Sequence, residues 1–238
     1  MENSIYLGLS KQMVLRTDMQ IIANNVANMN TPGYRAQNTL FDEYVSNPRG
    51  NDDPLSFVND RGQYQNTDPG SVSVTGNSLD IALNGPGFMA VEGPGGEAMY
   101  SRAGSLKITS EGALVTAAGF ALAGGINVPA DSTEIKIDKN GVVSNQDGQL
   151  GQIELVEFDN VQTLEPFGNN LYRNFGPNRP AEETSVAQGA LEGSNVRPVI
   201  EMTRMIDTMR TYQSVQRMIE GENERLSNAI RKLTGGGQ

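Results

Sequence analysis

A chain of 238 residues, 37% hydrophobic and without tryptophan, can build one large domain or one domain carrying helical extensions, but not a single core spanning its whole length. It has neither cysteine nor histidine, which excludes disulfides, thiolate metal sites and every Ser-His-Asp or Cys-His nucleophile, leaving only carboxylate, lysine or tyrosine chemistry. The formal net charge of −10 argues against nucleic acid as a partner.

The charge is unevenly placed. Residues 1–40 carry a net +1, residues 41–190 carry eight basic and twenty acidic groups, and residues 191–238 carry a net +1. An acidic, self-repelling middle between two near-neutral ends suits a subunit whose ends pack against copies of themselves. No stretch approaches the about 20 apolar residues of a membrane span, so no membrane insertion is expected. The start, Met1-Glu2-Asn3-Ser4, lacks a basic region and an apolar run. A cleaved secretory signal is therefore not expected, which points to the cytoplasm or to an export route that removes nothing.

The first 30 residues predict a helix. Ile5, Leu15, Met19, Ile22, Val26 and Met29 fall on one series of three- and four-residue steps, with Gly8 and Gln12 as its small or polar members. Asn30-Thr31-Pro32-Gly33 stops it, because proline removes a donor and biases its predecessor away from the helix. The amides of Asn24, Asn25, Asn28 and Asn30 are read as groups that satisfy backbone where helix gives way to turn, or that bridge neighbouring subunits, in preference to a small-ligand site.

Residues 41–64, rich in Asn, Asp and Pro, are expected as an extended linker, and residues 65–185 as a β domain. Val72 and Val74, Leu79 to Leu83, Leu106 and Ile108, Ile135 and Ile137, and Ile153 to Val156 alternate with polar residues in short runs. Asn84-Gly85, Pro94-Gly95-Gly96, Glu111-Gly112, Asn140-Gly141 and Asp147-Gly148 separate them as turns. Short strands at this spacing predict an antiparallel sandwich or irregular barrel. Asp138-Lys139-Asn140-Gly141 resembles the opening of a calcium loop, but the later ligands are missing, and a hairpin turn accounts for it. The glycine-rich runs lack a following Gly-Lys-Ser/Thr, and nothing in the spacing of Asp80 and Glu111 favours an acid–base pair. No catalytic, cofactor or metal site is expected.

Residues 186–238 are expected as a return linker and a second helix. Met202, Met205, Met209, Tyr212, Gln216, Ile219, Asn223, Leu226, Ile230 and Leu233 follow unbroken steps of three and four. Ile206, Val215 and Met218 lie off this seam and widen the apolar surface, so the helix should touch several neighbours. Gln216 and Asn223 either set register as seam amides or mark a partly exposed stretch. The fold class is thus α+β: a central β domain between an N-terminal helix (residues 1–40) and a C-terminal helix that pair as a coiled-coil-like assembly module. Two helices beside an already closed β domain need each other, and copies of themselves.

Three blocks resemble the axial proteins of the bacterial flagellar rod and hook. The first is Ala23-Asn24-Asn25-Val26-Ala27-Asn28-Met29-Asn30-Thr31-Pro32-Gly33-Tyr34. The second is Leu79-Asp80-Ile81-Ala82-Leu83-Asn84-Gly85-Pro86-Gly87-Phe88, continuing to Tyr100-Ser101-Arg102-Ala103-Gly104-Ser105-Leu106 and Gly112-Ala113-Leu114-Val115-Thr116. The third is Gly189-Ala190-Leu191-Glu192-Gly193-Ser194-Asn195-Val196, leading into Glu201-Met202. Within that family the length fits the two mid-sized rod types, and Ser4-Ile5-Tyr6-Leu7 and Arg35-Ala36 are more similar to the proximal-rod type than to the distal one. The resemblance implies a non-enzymatic structural subunit without cofactors, exported unfolded through the flagellar type III apparatus. It implies assembly with itself and with other rod and hook subunits, terminal helices inside and β domain outside. The alternative from another class is a ligand-binding β module on a self-associating helical stalk.

Overall fold

The computed structural model describes residues 2–46, 55–132 and 134–235, with side chains except at 2–4, 43–46, 55–60 and 233–235. The architecture is α+β, with one long helix before and one after an antiparallel, sheet-rich core. The chain forms two compact units, Met1–Ala27 with Gln37–Tyr64 and Arg197–Gln238, and Asn28–Ala36 with Gln65–Val196.

In the first unit, α1 (Glu2–Ala27) packs against α2 (Pro198–Gly235) and against β1 (Gln37–Ser46), which pairs with β2 (Leu55–Gln65). The expected linker at 41–64 is thus corrected: among its described residues, most are strand. Its Asn- and Asp-rich composition hid the pairing, because backbone bonds between two strands need no apolar alternation. Pro198 opens α2, where a missing donor costs nothing, and Glu201 lies in the favourable first turn. Helix α1 ends at Ala27, short of Asn30, because Asn28 begins a turn in which its carbonyl accepts from Thr31 N at 3.1 Å.

The second unit runs β3 (Val72–Val74), β4 (Ile81–Asn84), β5 (Phe88–Glu92), β6 (Ala98–Ser101), β7 (Leu106–Ile108), β8 (Leu114–Thr116), β9 (Lys136–Ile137) and β10 (Val142–Asn145). It continues with β11 (Gly148–Gln152), β12 (Leu155–Glu157), β13 (Glu165–Gly168), β14 (Leu171–Arg173), β15 (Arg179–Pro180), β16 (Ser185–Gln188) and β17 (Ala190–Glu192). The largest sheet has six strands in the order β13-β14-β6-β5-β12-β15, and β11-β10-β9 form a second. Pairs β16-β4, β17-β3 and β7-β8 complete the unit. The last two strands correct a second expectation. Residues up to Glu192 pair with β4 and β3, so the β unit runs past residue 185.

Strand β5 explains why alternation did not reveal it. Met89 and Val91 enter one core cluster with Ile81, Met99, Leu122 and Ile153, while Phe88 and Ala90 enter another with Tyr100, Phe158 and Tyr172. A strand buried on both faces reads as a continuous apolar run. In the second cluster the rings meet edge to face, Phe88 with Phe158 at 5.6 Å and Tyr100 with Phe158 at 4.8 Å. The Asn140-Gly141 turn is a hairpin: the Asp138 carboxylate accepts from Asn140 N at 2.8 Å and Val142 N at 2.9 Å. Gly33, at φ +71°, could carry no side chain, since a β-carbon there would lie 2.5 Å from the Arg102 backbone.

Candidate assembly interface

The two helices meet along a seam with polar groups at its centre. On α1 the buried positions are Gly8, Val14, Asp18, Ile21, Ile22 and Asn25. On α2, Glu201, Thr208 and Val215 are buried at seven-residue intervals, with Met205 and Tyr212 half-buried between them and Ile219, Glu222 and Leu226 half-buried beyond. These positions advance in strict steps of four and three, the heptad spacing that keeps one helix face against a partner.

Asp18 holds three partners. Its carboxylate accepts from Thr39 Oγ1 at 2.9 Å and Thr208 Oγ1 at 3.1 Å, and the Arg204 guanidinium stands at 3.4 Å. Asn25, 0% exposed, uses both ends of its amide. Its Nδ2 donates to Gln37 O at 2.8 Å and to Glu201 Oε2 at 3.2 Å, while its Oδ1 accepts from Gln37 N at 3.0 Å. One side chain therefore joins α1, the first residue of β1 and the first turn of α2. Arg204 adds a bond to Asn38 Oδ1 at 3.0 Å.

The sequence-predicted residues divide accordingly. Ile22 and Asn25 are buried in the seam, and Ile5, Leu15, Met19, Val26 and Asn28 are half-buried, whereas Asn24 is exposed. On α2, Met205, Tyr212, Ile219 and Leu226 share the covered side. Met202, Met209, Gln216, Asn223 and Ile230 are exposed, Gln216 donating to Glu220 at 3.1 Å. Leu233 lies outside the described side chains. The expected seam and the covered one share every second member and differ by one position at the others. Glu201 and Thr208 were missed because they are polar, and only their buried partners make them seam residues. Sequence spacing alone held no signal for Asp18 or Arg204.

A second apolar stripe remains exposed on each helix. On α1 it comprises Tyr6, Leu9 and Met13, and on α2 Val199, Met202, Ile206 and Met209. Both follow the same three- and four-residue steps. Intramolecular pairing thus leaves these seven large apolar side chains, and also Ile200, Met218 and Ile230, exposed outside the seam.

In the β unit a buried ionic cluster joins distant segments. Glu192 Oε2 accepts from Arg102 Nη2 at 2.7 Å and Nε at 3.0 Å; its Oε1 accepts from Arg35 Nη2 at 2.9 Å and Gly70 N at 3.1 Å. Arg102 spends its remaining donors on the carbonyls of Leu83, Gly85 and Gly87. Arg35 donates to the carbonyls of Thr67 and Asp68. Burial and the neighbouring Arg102 charge pull the Arg35 guanidinium below its usual value, against the opposing pull of Glu192.

Three segments match known families. Residues 5–35 match the flagella basal body rod protein family, residues 82–145 the flagellar hook protein FlgE/F/G D1 domain, and residues 187–232 the flagellar basal body rod FlgEFG protein C-terminal region. The flagellar basal-body rod protein FlgF of Caulobacter vibrioides is 37% identical over 98% of both chains. FlgF of Mesorhizobium japonicum is 32% identical over 98% of both. FlgG of Buchnera aphidicola subsp. Acyrthosiphon pisum is 32% identical over 92% of this chain and 94% of its own. The chain belongs to the flagellar basal-body rod protein family. Each matched segment supplies one member of the ionic cluster: Arg35, Arg102 and Glu192.

Proposed function

We propose that this chain is a self-assembling structural subunit of the proximal flagellar rod, whose helices pair as coiled coils with those of neighbouring subunits. The carrying observation is the pair of exposed stripes, Tyr6, Leu9 and Met13 on α1 and Val199, Met202, Ile206 and Met209 on α2. Apolar faces at heptad spacing beside an already filled seam suit helices with more than one neighbour. The neighbours are copies of this chain and other rod and hook axial subunits, and the helices form the inner wall of a shaft that transmits torque. Residues 1–40 and the C-terminal helix act as the assembly module, with seam and stripe residues as its contacts, and the β domain faces outward. Delivery is through the flagellar type III apparatus to a rod that crosses the periplasm. The action is mechanical, with no chemical step. The 37% identity to one FlgF relative, against 32% or less to the FlgG relatives, supports the proximal position.

A strain deleted for the gene tests this, complemented with the wild-type chain or with Met202→Asp plus Met209→Asp. Wild type should restore swimming and full-length rods, and the variant should not, although its purified monomer keeps its helix content. Complete basal bodies in the deletion strain would refute the rod role. Full rescue by the variant would refute the role of the stripe.

A further inference from the structure

Helices α1 and α2 run antiparallel, and three contacts fix their register. A β-carbon at Gly8 would meet Ile219, Asp18 bonds Thr208, and Asn25 bonds Glu201. The two residue numbers total 226 or 227 at each crossing, so each α1 residue has a definite α2 residue level with it. Tyr6, Leu9 and Met13, the exposed stripe of α1, are thereby level with Glu220, Arg217 and Gln213, all polar and exposed. Val199, Met202 and Ile206 of the α2 stripe are level with Ala27, Asn24 and Gln20, also exposed and none of them a large apolar residue. The apolar surface of α1 therefore lies at one end of the helix pair and that of α2 at the other.

The stripes also face in different directions. At 3.6 residues per turn, the α1 stripe lies about 150° round its helix from the seam, and the α2 stripe about 130° round its own in the opposite sense. In an antiparallel pair those two faces point away from each other. Along the pair their midpoints are separated by about 13 residues, which is about 20 Å at 1.5 Å per residue.

We propose that the α1 stripe of one copy packs, antiparallel, on the α2 stripe of a second copy shifted by about 20 Å along the helix axis. Each copy carries both halves of this contact, on opposite sides of its helix pair. The contact repeats the pairing already made inside the chain, an α1 face against an antiparallel α2 face at three- and four-residue steps. The stripe residues are uncharged and both ends of the chain are near neutral, so copies of a protein of net charge −10 meet here without repulsion. Three side chains against four fall far short of the about 20–30 residues a side of a stable dimer, so the contact holds by repetition in an array. An unshifted copy would instead set Tyr6, Leu9 and Met13 against the polar Glu220, Arg217 and Gln213. A head-to-tail contact with an axial shift cannot close into a flat ring and grows as an open helix. This inference rests on the rod reading above and adds its register.

The absence of cysteine makes disulfide trapping clean. The full chain bearing Leu9→Cys with Ile206→Cys is expressed in the deletion strain, beside a second variant bearing Leu9→Cys with Gln216→Cys. Isolated basal bodies are oxidised with copper phenanthroline. Sulfurs join only where α-carbons come within about 7 Å, so the first pair reports the shifted register and the second the level one. Dimers and longer ladders should be at least about tenfold stronger from the first pair. Ladders from the second pair instead, dimers from a single variant, adducts to another protein, or no ladder from cells that swim each overturn the inference and leave the rod reading standing. If cells with the first pair do not swim, a charge exchange decides. Leu9→Lys and Ile206→Glu should each stop swimming and together restore it, and failure to restore it overturns the inference. If the wild-type chain fails to restore swimming, the rod reading falls and takes this inference with it.

Discussion

Arg102 and Glu192, 90 residues apart in the chain, form an ion pair at 2.7 Å with 2% of each side chain exposed. The pair survives burial because the polar atoms around it are satisfied: Arg102 reaches three carbonyls, and Glu192 also takes Arg35 and the Gly70 amide. Losing one partner strands a desolvated charge, which typically costs about 3–5 kcal/mol. Arg102→Met and Glu192→Leu should each destabilise the protein by that amount in urea denaturation. The double variant should lose less than the sum by at least about 1 kcal/mol. Strictly additive losses would show that the two side chains are not coupled.

Asn25 is expected to matter more than its type suggests. Asn25→Ala leaves the Gln37 backbone groups and one Glu201 oxygen without their partner inside the helical unit. Each unsatisfied buried group costs about 1–3 kcal/mol, so a loss of at least about 2 kcal/mol is predicted. Asn223→Ala, on an exposed position of α2, should stay within about 0.5 kcal/mol of wild type. Thermal denaturation of the two variants side by side decides it. Equal effects would mean that Asn25 is not a junction.

These two sites show which parts of the structure could be read from the sequence. Both helices were legible because apolar spacing persists over many turns, and the glycine turns were legible because only glycine suits their backbone. The covered seam of α2 was legible only at every second position. Met205, Tyr212, Ile219 and Leu226 belong to it by spacing, but Glu201 and Thr208 belong through Asn25 and Asp18, partners far away in sequence. Strand β5 was illegible for the opposite reason, since burial on both faces erases alternation. Arg102 and Glu192 stood inside the recognisable blocks and Arg35 directly after the first, yet a single sequence cannot say that these three segments converge.

Acid should loosen the β unit at Glu157. Burial pushes this carboxyl up, but the Thr184 hydroxyl, the main-chain N–H groups of Glu183 and Glu182, and the Arg179 charge pull it down by more. The net position lies below the ordinary value of 4.5. A folded-state pKa below the unfolded one means that the ionised group adds stability above about pH 4.5, lost as pH falls through the folded value. Wild type should therefore exceed Glu157→Gln in stability at pH 7, and the gap should narrow progressively below pH 4.5. Urea melts across that range test it. A gap that is constant with pH would remove Glu157 from the acid response.

Gly8 sets how closely the helices approach. A β-carbon there would lie 2.8 Å from Ile219 Cγ1 and 3.3 Å from Met218 Cε. The first of these atoms belongs to a stiff, β-branched side chain that cannot move aside cheaply. Overpacking of this kind costs about 1–3 kcal/mol, so Gly8→Val should destabilise the monomer by that amount. Combining it with Ile219→Ala should recover more than half of the loss, because truncation opens the space that valine needs. Gly221, also in α2, has no atom within 4 Å of a β-carbon, so alanine there should instead stabilise by about 0.5–1 kcal/mol through helix propensity. Dilute-solution urea melts separate these effects from assembly. If Ile219→Ala fails to relieve Gly8→Val, close approach at this crossing is not what makes glycine necessary.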